Sequence, residues 1–219
     1  MIKTIIFDVD GTLLDTEKIY MKAWAEAAKA RGFEIPQEAL RKTRAVNAKV
    51  AKATFQEYCG EDFPYDLLRT ERVSIAEQMI AETSVDSLLK PNVHQVLQWL
   101  KQNGILIAAA SSTNYKTTVE HLKHAGLYDY FSVIVGGDMI TKGKPEPDIF
   151  LKSAELLGIP PKDCFVFEDS ENGIIAGSRA GMKCIGIKDM VDFGPEIKEL
   201  MFMELSNLSQ AIDIFKDYI

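Results

Sequence analysis

Ile5-Ile6-Phe7-Asp8-Val9-Asp10-Gly11-Thr12-Leu13-Leu14-Asp15 is the most informative stretch of the sequence, because an apolar strand there runs into two aspartates and a glycine. Side chains alternate between the faces of a strand, so Asp8 and Asp10 are predicted to point the same way. Gly11 permits the sharp turn that would leave both carboxylates at the open end of the strand. Two like charges this close need a cation or a proton between them. The stretch therefore predicts a metal site with acid/base chemistry.

Further short apolar runs follow the first strand along the chain. Runs without polar alternation are typical of strands buried on both faces, as in a parallel sheet covered by helices. The predicted strands are Thr4 to Val9, Ile105 to Ala110, Val133 to Val135, Cys164 to Phe167 and Cys184 to Ile187. Helical periodicity separates them, for example between Pro91 and Gly104 and before Gly158. The alternation predicts an α/β fold with a doubly wound, Rossmann-like parallel sheet.

Residues from Thr16 to about Ser84 break this alternation, because they show successive helical patterns and no strand. We therefore predict two domains. Residues 1–15 and 85–219 would form the α/β catalytic core, and residues 16–84 would form a helical domain inserted after the first strand. An insertion at this point is expected to lie over the carboxyl ends of the strands, where ligands bind in open α/β sheets.

Composition and charge narrow the classes of partner. The 219 residues carry a formal net charge of −7, which argues against nucleic acid as a partner because phosphate backbones need a basic surface. No run approaches the roughly 18 apolar residues of a membrane span, and the first residues lack the pattern of a signal peptide. We expect a cytoplasmic protein that does not bind membranes. The sequence does not indicate an oligomeric state, and a monomer is compatible with it.

Polar side chains also follow the second predicted strand, at Ser111-Ser112-Thr113-Asn114. The N–H groups and positive dipole of a helix start, together with the Ser111 hydroxyl, would bind a phosphate oxygen. Thr113 and Asn114 suit ordinary helix N-caps equally well. We therefore expect Ser111 to bind phosphate, and we regard Ser112 and Asn114 as further candidate substrate-binding residues.

A lysine and an acidic pair complete the candidate site. Lys144 precedes Pro145, whose ring restricts the backbone, and a site with several carboxylates and a phosphoryl group needs such a fixed cation. The fourth predicted strand ends in Glu168-Asp169. Mg²⁺ prefers oxygen ligands and needs only one or two protein carboxylates besides substrate oxygen. The predicted Mg²⁺ ligands are Asp8, Asp10 through its backbone carbonyl, Glu168 and Asp169, and the sequence leaves open which of the last two contacts the metal directly.

Together these motifs resemble those of one enzyme family. Asp8-x-Asp10-Gly11-Thr12, Ser111, Lys144 with Pro145, and Glu168-Asp169 occur in the order found in the haloacid dehalogenase-like superfamily. The resemblance covers essentially the whole chain. The inserted helical domain resembles the cap of the branch that contains beta-phosphoglucomutase and small-metabolite phosphatases.

The resemblance implies a mechanism for phosphoryl transfer. Asp8 would attack phosphorus in line and form an aspartyl-phosphate, while Asp10 would protonate the leaving oxygen and later activate water. Mg²⁺ and Lys144 would stabilise the charge of the transferring group. A dehalogenase is not expected, because halide leaves without a proton whereas an alcohol needs one.

The cap residues distinguish a phosphatase from a mutase. Where beta-phosphoglucomutases carry a histidine early in the first cap helix, this chain has Tyr20, although it keeps Trp24 one turn later. Arg72 falls where the cap supplies a basic residue, so these three side chains are candidate substrate contacts. The mutase cap loop, with its Gly and Arg, is matched by Arg44-Ala45-Val46-Asn47-Ala48. These departures favour a phosphatase.

The expected activity is thus Mg²⁺-dependent hydrolysis of a small phosphorylated metabolite, with a sugar phosphate as the expected substrate. The alternative is a beta-phosphoglucomutase-like phosphomutase, which would return the phosphate to a second hydroxyl. A third possibility is a non-catalytic phosphate-sensing or binding module, but all four motif positions are filled, which argues against it.

Overall fold

The structure is a computed structural model that describes residues 3–43, 48–188 and 192–216. The chain divides into two compact units. Met1–Leu14 and Leu89–Ile219 form the first unit, and Asp15–Leu88 form the second. The second unit therefore interrupts the first in the sequence, directly after the first strand and the turn that follows it.

The first unit is built on a parallel sheet, which in the described part of the chain has six strands in the order β3-β2-β1-β4-β5-β6. The strands are β1 (Thr4–Phe7), β2 (Leu106–Ser111), β3 (Val133–Gly136), β4 (Cys164–Glu168), β5 (Lys183–Ile187) and β6 (Met201–Leu205). This confirms the predicted α/β class and its doubly wound parallel sheet. Strand β6 was missed because it lies at the edge of the sheet, where Met201, Phe202 and Met203 alternate between half-buried and exposed and do not form a buried apolar run.

Helices separate and follow these strands. The described helices are, in chain order, α1 (Glu17–Lys29), α2 (Gln37–Lys42), α3 (Ala48–Cys59), α4 (Tyr65–Glu82), α5 (Val85–Leu88), α6 (Val93–Gln102), α7 (Tyr115–His124), α8 (Asp148–Leu157), α9 (Glu171–Arg179), α10 (Pro195–Lys198) and α11 (Gln210–Phe215). Helices α6 and α8 confirm the predicted periodic segments. The positive φ of Gly104 and Gly158, +72° and +68°, explains why both helices stop where the sequence pattern indicates.

Both faces of the sheet are covered in the first unit. Ile6 and Val166 pack on one face in an apolar cluster that includes Phe150 of α8. On the other face, the rings of Phe7 and Phe167 lie 4.8 Å apart, and Phe215 of α11 packs against Phe167 at 5.9 Å. Burial on both faces explains why the central strands β1, β2 and β4 are mainly apolar.

The regular secondary structure in the described part of the second unit is entirely helical, and the helices surround an aromatic cluster. Phe55 of α3 contacts Trp24 of α1 at 4.7 Å between ring centroids, and it stacks on Phe63 at 5.3 Å. Tyr65, at the start of α4, stacks on Trp24 at 5.5 Å. These large side chains give the unit an apolar core of its own.

The order of the strands determines where a site can form. Strand β1 lies between β2 and β4, and the chain builds β2 and β3 on one side of β1 before it crosses to β4 on the other. Ligands bind at such topological switch points, outside the carboxyl ends of the strands. Asp8, Ser111 and Glu168 lie at or directly after the carboxyl ends of these three strands.

Among the described helices, none has the length and apolar character needed to cross a membrane.

Candidate active site

A buried lysine joins the carboxyl ends of β1 and β4. The backbone N–H of Asp8 donates to the carbonyl oxygen of Phe167 at 2.9 Å, which fixes Asp8 beside Glu168. Lys144 Nζ donates to Asp8 Oδ1 and to Glu168 Oε1, each at 2.5 Å. Only 7% of the Lys144 side chain is exposed, so the ammonium group lies between two carboxylates and away from bulk water.

The charges in this group are unbalanced. Burial raises the pKa of Asp8 well above its usual range, Lys144 opposes that rise, and the carboxylates of Glu168, Asp169 and Asp10 add to it. Burial would by itself lower the pKa of Lys144, but the charges of Asp8 and Glu168 raise it above its ordinary value. The lysine is therefore a permanent cation, and the carboxylates around it outnumber it.

The Glu168 carboxylate accepts hydrogen bonds at the start of helix α9, from a residue that was not among the predicted site residues. Glu168 Oε2 accepts hydrogen bonds from the Ser170 backbone N–H at 3.1 Å and from the Ser170 hydroxyl at 2.9 Å. The same hydroxyl accepts from the Gly173 N–H at 3.1 Å as the N-cap of the helix. A Cβ at Gly173 would collide with the Glu168 carboxylate, so this glycine is required for the contact. A glycine in the first turn of the helix that follows an acidic strand end is the signal that could have revealed this role.

The turn after β1 places Asp169 next to Asp8. Gly11 has a φ of +94°, and a Cβ there would collide with the Asp169 carboxylate. Asp169 Oδ1 accepts from the Thr12 hydroxyl at 3.0 Å. Carboxylate oxygens of Asp8, Glu168 and Asp169 all lie within 4.8 Å of one another.

These carboxylates suit a hard divalent cation. All the donors are carboxylate oxygens, the ligands Mg²⁺ prefers, and a divalent cation would neutralise the negative charge that these groups share. Glu168 uses Oε1 for Lys144 and Oε2 for Ser170, which leaves Asp8 and Asp169 as the better placed direct ligands. The Asp10 side chain is not part of this group of carboxylates, and its Oδ2 accepts hydrogen bonds from two hydroxyl groups. The prediction that Asp10 binds the metal through its backbone carbonyl stays a prediction.

Asp10 is bound by the loop between β2 and α7. Its Oδ2 accepts from the Ser111 hydroxyl at 2.9 Å and from the Thr113 hydroxyl at 3.1 Å. Ser111 is fully buried, and its Oγ accepts from the Thr113 N–H at 3.0 Å. Ser111 thus lies beside the acid/base candidate, and its predicted role in binding phosphate stays a prediction.

The loop after β3 supports the Ser111–Asn114 segment, a role that the sequence pattern alone did not indicate. The Gly137 N–H donates to the Thr113 carbonyl oxygen at 2.8 Å, and Asp138 Oδ1 accepts from the Tyr115 N–H at 2.6 Å. A Cβ at Gly136 would collide with the backbone of Tyr115, and one at Gly137 with the backbone of Ser112. The adjacent glycines after a short strand were the available signal.

Asn114 and Ser112 are the other two predicted substrate-binding residues of this loop. Asn114 is the N-cap of α7, because its Oδ1 accepts from the Thr117 N–H at 2.9 Å. Ser112 is exposed. Their contact with substrate stays a prediction. The side-chain oxygen of Asn114 is already used to cap helix α7.

The three predicted cap residues form one cluster within the second unit. The guanidinium of Arg72 lies over the Tyr20 ring at 5.1 Å and over the Trp24 ring at 5.3 Å. Burial lowers the pKa of Arg72, and its buried Nε has no hydrogen-bond partner in the part of the chain that the structure describes. The predicted cap loop at Arg44–Asn47 lies outside the described residues.

A family model and relatives aligned over nearly their full length point to the same family. A model of the haloacid dehalogenase-like hydrolases matches residues 2–181. The Bacillus subtilis protein YhcW is 34% identical, and the alignment covers 95% of this chain and 96% of YhcW. A phosphorylated carbohydrates phosphatase from Thermotoga maritima is 28% identical over 99% of this chain and 100% of its own length.

Two further comparisons relate to substrate and fold. The beta-phosphoglucomutase of Bacillus subtilis is 29% identical, with 84% of this chain and 83% of that protein covered. Among solved structures, CbbY from Rhodobacter sphaeroides in complex with phosphate superposes with a TM-score of 0.79 at 28% identity, covering 96% of each chain. The similarity therefore extends over both units of the chain.

We expect Gly11→Ala to weaken divalent-cation binding by about 10- to 100-fold, because the new Cβ collides with Asp169 and the positive φ disfavours a side chain. The measurement is a titration with Mn²⁺, a paramagnetic substitute for Mg²⁺, followed by electron paramagnetic resonance. Gly194→Ala is the control, since a Cβ there meets atoms only at the ordinary distance of 3.6 Å. Unchanged Mn²⁺ affinity in a folded Gly11→Ala protein would contradict the assignment.

Proposed function

This chain belongs to the haloacid dehalogenase-like hydrolase family, and on that premise we propose that it is a Mg²⁺-dependent phosphatase acting on a small phosphorylated metabolite, with a sugar phosphate as the expected substrate. The observation that carries the proposal is the contact of Lys144 with both Asp8 and Glu168, beside Asp169. A nucleophilic carboxylate, a fixed ammonium group and a second acidic side chain are what transfer of a phosphoryl group to an aspartate requires.

In the proposed first step, Asp8 attacks phosphorus, a bond from its carboxylate to phosphorus forms, and the ester P–O bond breaks. Asp10 donates a proton to the leaving oxygen, which departs as an alcohol. Lys144 orients Asp8 and offsets charge on the equatorial phosphoryl oxygens. In the second step a water molecule gives its proton to Asp10 and attacks phosphorus, which releases phosphate and restores Asp8.

Asp8 and Asp169, with the Asp10 backbone carbonyl, are the residues proposed to bind Mg²⁺. Bound there, the ion would neutralise part of the carboxylate charge and of the phosphoryl charge. This agrees with the electrostatics of the site, because burial and then the neighbouring carboxylates raise the pKa of Asp8, whereas a nucleophile must be ionised. Glu168 instead orients Lys144.

The cap cluster is proposed to recognise the part of the substrate beyond the phosphate. The Arg72 guanidinium lies over two aromatic rings, and its buried Nε has no hydrogen-bond partner among the described residues. Such an arginine can donate to hydroxyl or anionic oxygens while the rings contact the apolar face of a sugar. The relative from Thermotoga maritima is named as a phosphatase of phosphorylated carbohydrates, which supports this substrate class. A cytoplasmic location remains an expectation.

A phosphomutase is the second candidate. The similarity to a beta-phosphoglucomutase and the presence of Trp24 favour it, whereas Tyr20 occupies the position of the mutase histidine. The two activities share Asp8, Asp10 and Lys144, and they differ in whether water or a sugar hydroxyl accepts the phosphate.

We expect the protein with Mg²⁺ to release inorganic phosphate from 4-nitrophenyl phosphate and from a panel of sugar phosphates. Asp8→Asn should abolish this release, a loss of at least about a thousandfold, because an amide does not form the covalent intermediate. Asp129→Asn, at an exposed aspartate, serves as the matched control. Full activity of Asp8→Asn would contradict the nucleophile assignment, and no release from any ester by a Mg²⁺-binding wild type would support a non-catalytic module.

Product analysis separates the two enzymatic candidates. With hexose 1-phosphate and a trace of hexose bisphosphate, the proposed phosphatase yields free hexose and inorganic phosphate. Accumulation of hexose 6-phosphate, detected by ³¹P nuclear magnetic resonance, would instead establish the mutase. The physical reason is that only a site that excludes water gives a second hydroxyl time to accept the phosphate.

Arg72→Met should raise KM for the preferred sugar phosphate by about tenfold, because it removes charged donors and preserves most of the apolar stem. Its effect on kcat should be small, since the residue is proposed to contact parts of the substrate that do not react. Arg69→Met, an exposed position on the same helix, is the control. Equal kinetic constants for both variants across the sugar phosphate panel would remove Arg72 from the substrate site.

A further inference from the structure

Thr113 contacts Asp10 although the two residues are 103 positions apart in the sequence. The Thr113 hydroxyl donates to Asp10 Oδ2 at 3.1 Å, and the Ser111 hydroxyl donates to the same oxygen at 2.9 Å. Both hydroxyls come from the segment that follows β2. One oxygen of the acid/base candidate therefore has two donors on one loop.

Of the two hydroxyl donors, Ser111 is also the residue predicted to bind phosphate. A serine hydroxyl carries a single hydrogen, and Ser111 Oγ already accepts from the Thr113 N–H. When Ser111 donates this hydrogen to a phosphate oxygen, the same hydrogen is no longer available to Asp10. Thr113 then remains as a donor to Asp10 Oδ2 during the reaction.

The Thr113 hydroxyl is not needed to begin helix α7. Asn114 caps this helix, with its Oδ1 accepting from Thr117 N–H at 2.9 Å. The Thr113 backbone is fixed separately, because its carbonyl oxygen accepts from the Gly137 N–H at 2.8 Å and its own N–H donates to Ser111. The hydrogen-bonded backbone of Thr113 thus directs its side chain towards Asp10, and the Thr113 hydroxyl does not cap helix α7.

We propose that Thr113 is a positioning residue for Asp10, which it orients for proton donation to the leaving oxygen. This inference rests on the proposed phosphatase function. With Oδ2 accepting from Thr113, Oδ1 carries the proton that passes to the leaving oxygen as the P–O bond breaks. In the second step Oδ1 receives a proton from the attacking water, so the carboxyl group returns to its starting form.

The test compares two leaving groups. A sugar alkoxide must be protonated as it leaves, whereas 4-nitrophenolate leaves without a proton, so a misplaced acid penalises only the first. Thr113→Val keeps the shape of the side chain and removes the hydroxyl. We expect it to lower kcat/KM for the sugar phosphate by about tenfold, and to lower kcat/KM for 4-nitrophenyl phosphate by less than about twofold.

Two further variants make the result specific. Thr113→Ser restores the hydroxyl and should return the ratio of the two kcat/KM values towards wild type. Thr83→Val makes the same change at a half-buried threonine of the second unit, whose hydroxyl donates to the Met79 carbonyl oxygen at 2.7 Å, and it should leave the ratio unchanged. If Thr113→Val does not fold, the comparison of Thr113→Ala with Thr113→Ser provides the same test.

Failure of the inference can be told apart from failure of the proposed function. An active wild type whose Thr113→Val variant loses both activities equally, or loses neither, overturns the positioning role. A wild type that releases phosphate from neither substrate overturns the proposed function first. A selective loss with the sugar phosphate, reversed by serine, supports the inference.

Discussion

Several carboxylates share one buried sheet edge with a single ammonium group, and Lys144 is hydrogen-bonded to two of them. Removing charged groups from water is costly unless they are paired and hydrogen-bonded, so this edge requires both a bound lysine and donors for the remaining oxygens. Ser170 supplies donors to Glu168, Thr12 supplies one to Asp169, and Ser111 and Thr113 supply two to Asp10. The hydroxyl and N–H donors around this edge are present because buried carboxylates must be hydrogen-bonded.

The backbone is adapted to the same requirement. The carboxylates approach one another closely because Gly11 and Gly173 leave space where a Cβ would collide with Asp169 and Glu168 respectively. The strand order brings together segments that are far apart in sequence, since β1 pairs with β2 on one side and with β4 on the other. A buried apolar sheet thus fixes positions that flexible loops alone would not fix.

Much of this arrangement was predictable because strand ends in a parallel sheet meet at one edge. Apolar runs indicated five of the strands, and the acids after them indicated where Asp8, Glu168 and Asp169 would lie. Strand β6 was not predicted because an exposed edge strand has no continuous apolar run.

Thr113 was interpreted as a possible helix cap, but Asn114 fills that position and the Thr113 hydroxyl contacts Asp10. Such long-range contacts depend on side-chain directions that local patterns do not contain. The roles of the cap residues Tyr20, Trp24 and Arg72 stay proposals.

The central claim is that phosphate passes through Asp8 on its way to water. The stereochemical course at phosphorus tests this most directly, with a phosphorothioate ester made chiral by oxygen isotopes and hydrolysed in isotopically labelled water. Each in-line displacement inverts phosphorus, so transfer to Asp8 followed by transfer to water predicts overall retention of configuration. Overall inversion would mean that water attacks the substrate directly, and it would contradict the account.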